Sequence, residues 1–322
     1  MTGVSNIAVT DDEDGIRLDR WFRRHYSDLG HGRLEKLLRT GQVRVDGGRS
    51  KASTRLETGQ VVRVPPFSIV ATGDRGQNRQ KAKAVVSRDA EKLKELVLHR
   101  DDDVLVINKP PGLAVQGGTG LKQHLDGMLD SLQFDAEERP RLVHRLDRDT
   151  SGVLMLGRNA FAAAKLAAAF RDRTAHKLYW ALVVGVPRPR KGKIVSRITK
   201  KSVGADQENK ARAQADGKRG LTEYEVLETA GNEIAWLALY PHTGRTHQLR
   251  VHCVDLGTPI LGDGKYGGRS AFLEGFPDAK KLHLHARSIE IPHPRGGKLR
   301  LQAPLPPSMA ATWRFFGLQT GA

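Results

Sequence analysis

The amino-acid sequence predicts an α+β fold in which a small α/β domain precedes a larger domain built on a mixed, mainly antiparallel central sheet. The length of 322 residues exceeds what one compact domain usually needs. A helix, helix, strand pattern is confined to residues 15–66, and strand-length apolar segments with few helices between them dominate after residue 98. We therefore expect domains at 15–66 and 99–322, joined by a polar linker at 67–98.

The first domain begins with two amphipathic helices. The segment "IRLDRWFRRHY" carries its large apolar side chains on one helical face and its arginines elsewhere. The segment "GRLEKLLRTG" predicts a second helix that stops near Gly41, because glycine is common just after helix ends. Two short alternating strands follow, "QVRVDGG" and "GQVVRVPP", and the first closes in an Asp46-Gly47 turn.

Basic side chains gather on the second helix and on the strand that follows it. They are Arg33, Lys36, Arg39 and Arg44. This helix, helix, strand unit resembles the small S4-like RNA-binding domain over most of residues 15–66. The resemblance implies that the four basic residues contact RNA phosphates. The alternative is a small helical domain whose basic face is merely solvated.

The second domain shows a series of strands and one strong helix. It starts with the apolar strand "VLVINK", which ends at a Pro110-Pro111-Gly112 turn. The alanine-rich segment "AFAAAKLAAAFRDR" predicts a helix. Further strands are predicted at "VLMLG", "KLYWALVVG", "LTEYEVLETA", "EIAWLALYP" and "KLHLHARSIEI".

Residues 188–220 differ from the rest of this domain in charge. They hold eleven Lys and Arg residues against three acidic ones, a local excess of eight positive charges. The segment is either a solvated loop or an electrostatic arm for RNA, and the second interpretation is favoured.

The overall charge favours a polyanionic partner. The chain has 53 Lys and Arg residues against 36 Asp and Glu, a formal net charge of +17, and nucleic acid is the commonest partner of such proteins. A single cysteine, Cys253, excludes internal disulfides and cysteine-based zinc sites. No apolar run is long enough for a membrane helix, and the N-terminal residues lack a secretory signal. We expect a cytoplasmic monomer that makes no membrane contact.

Three histidines, at positions 242, 247 and 252, invite a metal-site interpretation that their spacing does not support. A spacing of five matches neither one face of a strand nor the i, i+4 pairs of a helix, and no carboxylate lies nearby in the sequence. We expect them to be structural or to contact phosphates, and we predict neither a metal nor a cofactor.

Four ordered motifs carry a resemblance to a known family. "HRLDRDTSG" at 144–152 places one acid, Asp147, among basic residues, and "KLYWALVVG" at 177–185 offers an aromatic residue on a strand. "TGRTHQLRVH" at 243–252 offers Arg245 and Arg250, and "NKPPG" at 108–112 precedes them all. Together they resemble the RluA-type pseudouridine synthases over about residues 100–307, with the RluC-like branch, which acts on large-subunit ribosomal RNA, as the nearest match.

The resemblance implies the pseudouridine synthase fold and a reaction that needs no cofactor or metal. Asp147 matches the carboxylate that acts on the sugar, either as nucleophile or as base. Arg250 would pair with Asp147 and keep it ionised and aimed, and Tyr179 would stack on the uracil. Arg145 matches the residue that fills the gap left by a flipped base, while Lys177 and Arg245 would hold phosphates or the loop.

Three functions remain compatible with the sequence. The first is isomerisation of uridines in 23S-type ribosomal RNA, and the second is the same reaction on transfer RNA. The third is a catalytically idle RNA-binding assembly factor, against which the intact set of Asp147, Tyr179 and Arg250 argues.

Overall fold

A computed structural model describes residues 4–26, 29, 31–66, 91–117, 123–198, 217–273 and 281–319. The backbone divides into two compact units, residues 1–82 and 83–322. None of the described helices is both long and apolar enough to cross a lipid bilayer.

The first unit is a three-stranded antiparallel sheet with two helices. The strands are β1 (Ser5–Ala8), β2 (Arg44–Val45) and β3 (Val61–Val64), and the helices are α1 (Leu18–His25) and α2 (His31–Arg39). The strand order is β1-β3-β2, so β1, which the sequence pattern did not indicate, completes the sheet. The predicted apolar face of α1 is confirmed, because Leu18, Trp21 and Phe22 are fully buried in the core of this unit.

The predicted Asp46-Gly47 turn forms, and it uses one of the four basic residues assigned to RNA. Asp46 and Gly47 have φ angles of 48° and 76°, and the backbones of Val45 and Gly48 exchange hydrogen bonds across them. The Arg44 guanidinium donates to the carbonyl oxygens of Gly41 and Gly47 at 3.1 and 3.0 Å. Arg44 therefore stabilises this turn, whereas Arg33, Lys36 and Arg39 are exposed along α2.

The second unit is built on one sheet, to which ten of the described strands belong. They are β4 (Val97–Arg100), β5 (Val104–Lys109), β6 (Arg141–Leu142), β7 (Ser151–Gly157), β8 (His176–Val184), β9 (Lys191–Ile198), β10 (Lys218–Ala230), β11 (Ile234–Pro241), β12 (Leu284–Pro292) and β13 (Lys298–Gln302). The strand order is β4-β5-β7-β12-β8-β11-β10-β9, with β13 on β12 and β6 on β7. Only the pairing of β7 with β12 is parallel, so the expected mainly antiparallel sheet is confirmed for the described strands.

Helices cover both faces of this sheet. On the front face lie α4 (Gln248–Asp255) and a 3-10 helix at Leu125–Leu132. On the back face lie α3 (Ala160–Arg171), which is the predicted alanine-rich helix, and α5 (Pro307–Phe315). Tyr179 of β8 packs against both front-face apolar clusters, so it marks the place where the two halves of the sheet meet.

Two segments differ from the sequence-based expectation. Residues 91–95 are helical and β4 begins at Val97, so the end of the predicted linker belongs to the second unit, while 67–90 lie outside the described residues. In the basic segment 188–220, residues 191–198 form the edge strand β9 and residues 218–220 begin β10. These residues are therefore not a loop or an arm, and 199–216 lie outside the described residues.

Candidate active site

The predicted acid lies in a short loop between two strands of the sheet. Residues 143–150 connect β6 to β7, and Asp147 is half-buried with 19% of its side chain exposed. The carbonyl of Asp147 accepts a hydrogen bond from the Thr150 backbone at 3.2 Å, which closes the loop as a turn. Thr150 and Ser151 are buried, and the Ser151 hydroxyl lies 2.9 Å from His285 Nδ1. Both ends of the loop are therefore held by the sheet.

Lys109 fastens this loop to the end of β5. Its side chain is fully buried, and the ammonium donates to the carbonyls of Pro110, Leu113 and Arg148 at 2.8, 2.9 and 3.0 Å. Burial lowers the pKa of Lys109 to about 7, against the opposing charges of Asp149 and Asp147. Three carbonyl acceptors match the three hydrogens of the protonated amine. The lysine of the "NKPPG" motif thus stabilises the Asp147 loop through the Arg148 carbonyl.

His144 has a structural role that the sequence did not settle. Its Nε2 accepts the Met155 N–H of β7 at 2.9 Å, and its ring stacks on Phe170 with centroids 4.3 Å apart. Burial, with a smaller effect of the Lys177 charge, lowers the pKa of His144 to about 3. The imidazole is therefore neutral, as its acceptor role requires.

One cleft brings together the six site residues that were predicted in the second domain. It has a cavity volume of about 130 Å³, and its lining includes Arg145, Asp147, Lys177, Tyr179, Arg245 and Arg250. These residues come from the β6–β7 loop, strand β8, and the segment that ends β11 and begins α4. The predicted RNA-binding residues of the first unit, Arg33, Lys36, Arg39 and Arg44, do not line it.

The prediction that Arg250 pairs with Asp147 is wrong. Arg250 donates from Nε and Nη2 to the two carboxylate oxygens of Asp263 at 2.8 and 2.5 Å, and not to Asp147. Asp263 is 1% exposed, and an arginine fork binds such a buried carboxylate with both oxygens. The guanidinium also lies over the Tyr266 ring, 4.9 Å from its centroid.

Arg250 nevertheless influences Asp147 through its charge. Burial opposes the charged guanidinium, but the hydrogen bonds and charge of Asp263, with a further contribution from Asp147, raise the pKa of Arg250. Among the described residues, the basic side chain with an atom within 4 Å of the Asp147 carboxylate is instead His247, whose Nε2 is 3.6 Å from the Asp147 Oδ1 atom. The Asp147 carboxylate therefore interacts with the positive charge of Arg250, whose hydrogen bonds go to Asp263.

Tyr179 and Lys177 line the same cleft from one strand. Burial, reinforced by the negative charge of Asp147, raises the pKa of Tyr179, so its phenol stays protonated at neutral pH. Burial, with the nearby Arg173 charge, lowers the pKa of Lys177. No described side chain forms an ion pair with the Lys177 ammonium. A half-buried lysine of this kind leaves its donors for an anion from outside the protein.

Gln248 organises the loop that carries Arg245. Its Oε1 accepts from the Thr243 hydroxyl at 2.7 Å and from the Arg245 backbone at 3.1 Å. Its Nε2 donates to the Leu221 carbonyl and the Thr222 hydroxyl of β10, both at 3.0 Å. The "TGRTHQ" turn is therefore tied to the sheet, and the Arg245 side chain extends into the cleft from a fixed backbone.

The three histidines at 242, 247 and 252 do not form a metal site with the residues that the structure describes. His242 is exposed and lies 3.4 Å from Glu223. His252 is buried beside the Thr222 hydroxyl at 2.9 Å. Of the three, His247 alone lines the cleft, and it contacts Tyr266, which packs with Asp263 around Arg250. The sequence pattern assigned no role at the site to Asp263 or Tyr266. Their only sequence signal was a place within, or just after, the motif that contains Arg250.

A comparison with known proteins agrees with this geometry. Residues 103–255 match the family model described as RNA pseudouridylate synthase. The chain is 35% identical over 307 residues to the ribosomal large subunit pseudouridine synthase C of Vibrio cholerae, covering 94% of both proteins. It is also 35% identical to the mitochondrial RNA pseudouridine synthase 4 of Arabidopsis thaliana, covering 90% of this chain and 74% of that one.

The solved structures agree with the fold. The human RNA pseudouridylate synthase domain containing 4 superposes with a TM-score of 0.63 at 30% identity, over 74% of this chain and 100% of that one. An aspartate-centred cleft on a mainly antiparallel sheet, with motifs of this kind, defines an enzyme that isomerises uridine in RNA. The chain belongs to the RNA pseudouridylate synthase family, and the RluA type indicated by the motifs is confirmed.

Proposed function

We propose that Asp147 is the carboxylate on which uridine isomerisation depends, with Tyr179, Arg250, Arg145, Lys177 and Arg245 as its partners at the substrate. The observation that supports this assignment is the convergence of all six side chains on one cleft from three separate motifs.

The reaction breaks the N1–C1′ bond of uridine and forms a C5–C1′ bond in its place. The uracil turns between the two steps, C5 loses its proton and N1 gains one, so atoms and electrons balance without a co-reactant. Asp147 acts either as a nucleophile at the sugar or as a base that removes a sugar proton. Its half-buried position leaves a face open to the sugar, and the Arg250 guanidinium lies near enough for its charge to interact with that of Asp147.

Tyr179 suits a uracil partner because its ring lines the cleft and its phenol is protonated. An aromatic face can stack on the flat uracil, and the hydroxyl can exchange a proton at C5 in the last step. The raised pKa of Tyr179 keeps the phenol protonated, so the hydroxyl can take the C5 proton only if it passes its own proton to another acceptor in the same step.

The target base must leave the RNA stack before it reaches Asp147. Extrusion costs a few kcal/mol, which contacts in the opened stack can offset. Arg145 is exposed two residues before Asp147 in the same loop, so its planar guanidinium can occupy the vacated space. The ammonium of Lys177 and the guanidinium of Arg245 then bind the phosphates that flank the target nucleotide, which supplies the anion that Lys177 lacks in the free protein.

The substrate that we propose is large-subunit ribosomal RNA, in the cytoplasm. Support comes from relatives named ribosomal large subunit pseudouridine synthase C, which match over nearly the whole chain. The first unit would add RNA affinity through Arg33, Lys36 and Arg39 on α2, consistent with the S4-like resemblance and the net charge of +17.

The decisive experiment replaces the carboxylate. Asp147→Asn should bind unmodified large-subunit ribosomal RNA as the wild type does and leave its uridines unmodified, as read by carbodiimide treatment and primer extension. Asp149→Asn is the matched control, because Asp149 lies in the same loop, pairs with Arg148 and does not line the cleft. Persistent pseudouridine with purified Asp147→Asn protein would overturn the assignment, and loss with both variants would point to a folding defect.

A further inference from the structure

His247 stands out as a side chain whose geometry the assigned roles do not explain. Its φ and ψ are 56° and 22°, the left-handed region that costs energy for a residue with a Cβ. Of the four described non-glycine residues with positive φ, His247 alone lines the catalytic cleft. Strained backbone that persists beside reacting groups is a recurrent sign of a functional constraint.

The strained backbone directs the two ring nitrogens of His247 toward different partners. Nδ1 is 2.5 Å from the Tyr266 hydroxyl oxygen, and Nε2 is 3.6 Å from Asp147 Oδ1. The Tyr266 ring is itself held under the Arg250 guanidinium. The imidazole therefore bridges the Asp147 carboxylate and the group of side chains formed by Arg250, Asp263 and Tyr266.

The chemistry of a neutral imidazole selects one arrangement of these hydrogens. A lone pair on Nε2 would repel the Asp147 carboxylate, so Nε2 must carry the hydrogen and Nδ1 must accept. Tyr266, whose hydroxyl is both donor and acceptor, then donates to Nδ1 and locks that tautomer. Burial lowers the pKa of His247, and the positive charges of Arg250 and Lys265 lower it further, while the negative charges of Asp147 and Asp263 oppose this shift. The imidazole is therefore neutral at neutral pH.

We propose that His247 is a positioning residue that aims Asp147 through its Nε2–H, with its tautomer fixed by Tyr266. This inference rests on the proposed role of Asp147 and deepens it. The separation of 3.6 Å in the free protein is longer than a hydrogen bond, and contacts of this kind tighten when substrate binds. Arg250 binds Asp263, and His247 is the described basic residue with a side-chain nitrogen within 4 Å of the Asp147 carboxylate.

Two amide replacements of His247 distinguish the proposed positioning of Asp147 from a role in which the residue only holds the left-handed backbone. The amide nitrogen of glutamine reaches roughly the place of Nε2, whereas that of asparagine reaches only the place of Nδ1. Asparagine tolerates the left-handed conformation better than glutamine does. A backbone role therefore predicts that His247→Asn is the milder change, and the positioning role predicts that His247→Gln is.

The measurement is single-turnover release of tritium from C5 of labelled uridine in a large-subunit ribosomal RNA transcript, beside RNA affinity and thermal melting. We expect His247→Ala and His247→Asn to lower the turnover rate about 10- to 100-fold with unchanged affinity, and His247→Gln to recover most of it. His242→Ala is the control, because His242 is exposed on the same segment and lies outside the cleft.

A double-mutant cycle tests the link to Tyr266. Tyr266→Phe keeps the ring and removes only the hydroxyl, so it should slow the wild type several-fold and have no further effect in the His247→Ala background. Equal effects of Tyr266→Phe in both backgrounds, or a full rate for His247→Ala, would overturn the inference. Asp147→Asn in the same assay distinguishes failure of the His247 inference from failure of the proposed function, since activity in that variant would refute the proposed function itself.

Discussion

The α-carbon of Gly152 lies directly against the backbone of Ala286, where β7 and β12 form their parallel pairing. A Cβ built on Gly152 would be 2.2 Å from the Ala286 carbonyl oxygen and 2.7 Å from its backbone nitrogen. Gly152 also has a φ of 109°, a conformation that L side chains rarely adopt. The glycine of the "HRLDRDTSG" motif is therefore required by the sheet that supports the Asp147 loop, and not by contact with the substrate.

The first prediction follows from this contact. Gly152→Ala should lower the free energy of unfolding by about 3 kcal/mol or more, since a backbone clash adds to the strain at positive φ. The remaining folded protein should turn over slowly, because the shifted strand carries the Asp147 loop with it. Denaturant unfolding and single-turnover rates measure the two effects.

Gly231→Ala is the control for this change. Gly231 has a φ of 59° in the β10–β11 turn, and a Cβ there meets nothing within 4 Å. Its replacement should cost only the conformational strain, about 1–2 kcal/mol, with a normal rate. Equal losses of stability for the two variants would show that the Ala286 contact is unimportant.

A second prediction concerns Lys109, which binds the Asp147 loop. Lys109→Met replaces the lysine with an unbranched side chain one atom shorter and leaves the carbonyls of Pro110, Leu113 and Arg148 without their donor. Buried polar groups without partners cost about 1–3 kcal/mol each, partly offset because the buried charge is also removed. We expect a net loss of about 2 kcal/mol in unfolding free energy, and a turnover rate that falls more than RNA affinity does.

Lys94→Met provides the comparison, because the Lys94 side chain is 38% exposed and pairs with the exposed Glu91. It should change neither stability nor turnover by a measurable amount. If Lys109→Met reduced RNA affinity and left the turnover rate intact, its role in holding the Asp147 loop would be refuted.

The sequence predicted the elements whose side-chain pattern is strong and failed where charge masks the pattern. Strand β9 alternates correctly, with Ile194 and Ile198 facing the core, but its exposed positions include Lys191 and Lys193. Such charges are typical of an edge strand, where they discourage pairing with another chain. Within a segment so rich in lysine and arginine they suggested a solvated loop or an electrostatic arm instead.

The site was predictable to the level of which residues meet, but not of how they pair. The motifs brought Asp147, Tyr179 and Arg250 into one cleft, as expected from the family resemblance. The choice of Asp263 over Asp147 as the partner of Arg250 depends on burial, which spacing along the chain does not reveal. The role of His247 was missed because nothing in the amino-acid sequence around it indicates a left-handed backbone.

The third prediction tests the basic face of α2. Replacing Arg33, Lys36 and Arg39 together by glutamine should weaken binding to ribosomal RNA and flatten its salt dependence. Each lost phosphate contact removes about 0.7–0.9 from the slope of log affinity against log salt, so the slope should change by about 2–3. At saturating RNA the turnover rate should stay normal, because none of the three residues lines the cleft.

The matched control removes two cations of the second unit that pair with the same acidic residue. Lys298 and Arg300 both pair with Glu290, so Lys298→Gln with Arg300→Gln should leave the salt slope nearly unchanged. A slope that responds equally to both sets of substitutions would indicate a diffuse effect of net charge, and would remove the case for a binding face on α2.

The last prediction concerns three neutral histidines buried in the second unit. Burial lowers the pKa of His144 to about 3, and those of His252 and His285 to about 4. In the unfolded chain each titrates near 6.5, so below that pH the unfolded state binds protons that the folded state refuses. Stability must therefore fall as the pH drops from 6.5 toward 4. Between pH 7 and pH 5 we expect a loss of up to about 5 kcal/mol for the three together.

Urea unfolding at pH 7 and pH 5, at one ionic strength, measures this loss. His144→Gln should lower stability at pH 7, because it disturbs the bond to the Met155 N–H, and it should reduce the pH dependence by about 2 kcal/mol. His242→Gln removes an exposed imidazole and should leave the pH dependence as it is. These carboxylate-independent effects appear above pH 5, before most acidic side chains titrate, so a wild-type stability that is flat from pH 7 to pH 5 would mean that the buried histidines accept protons in the folded state.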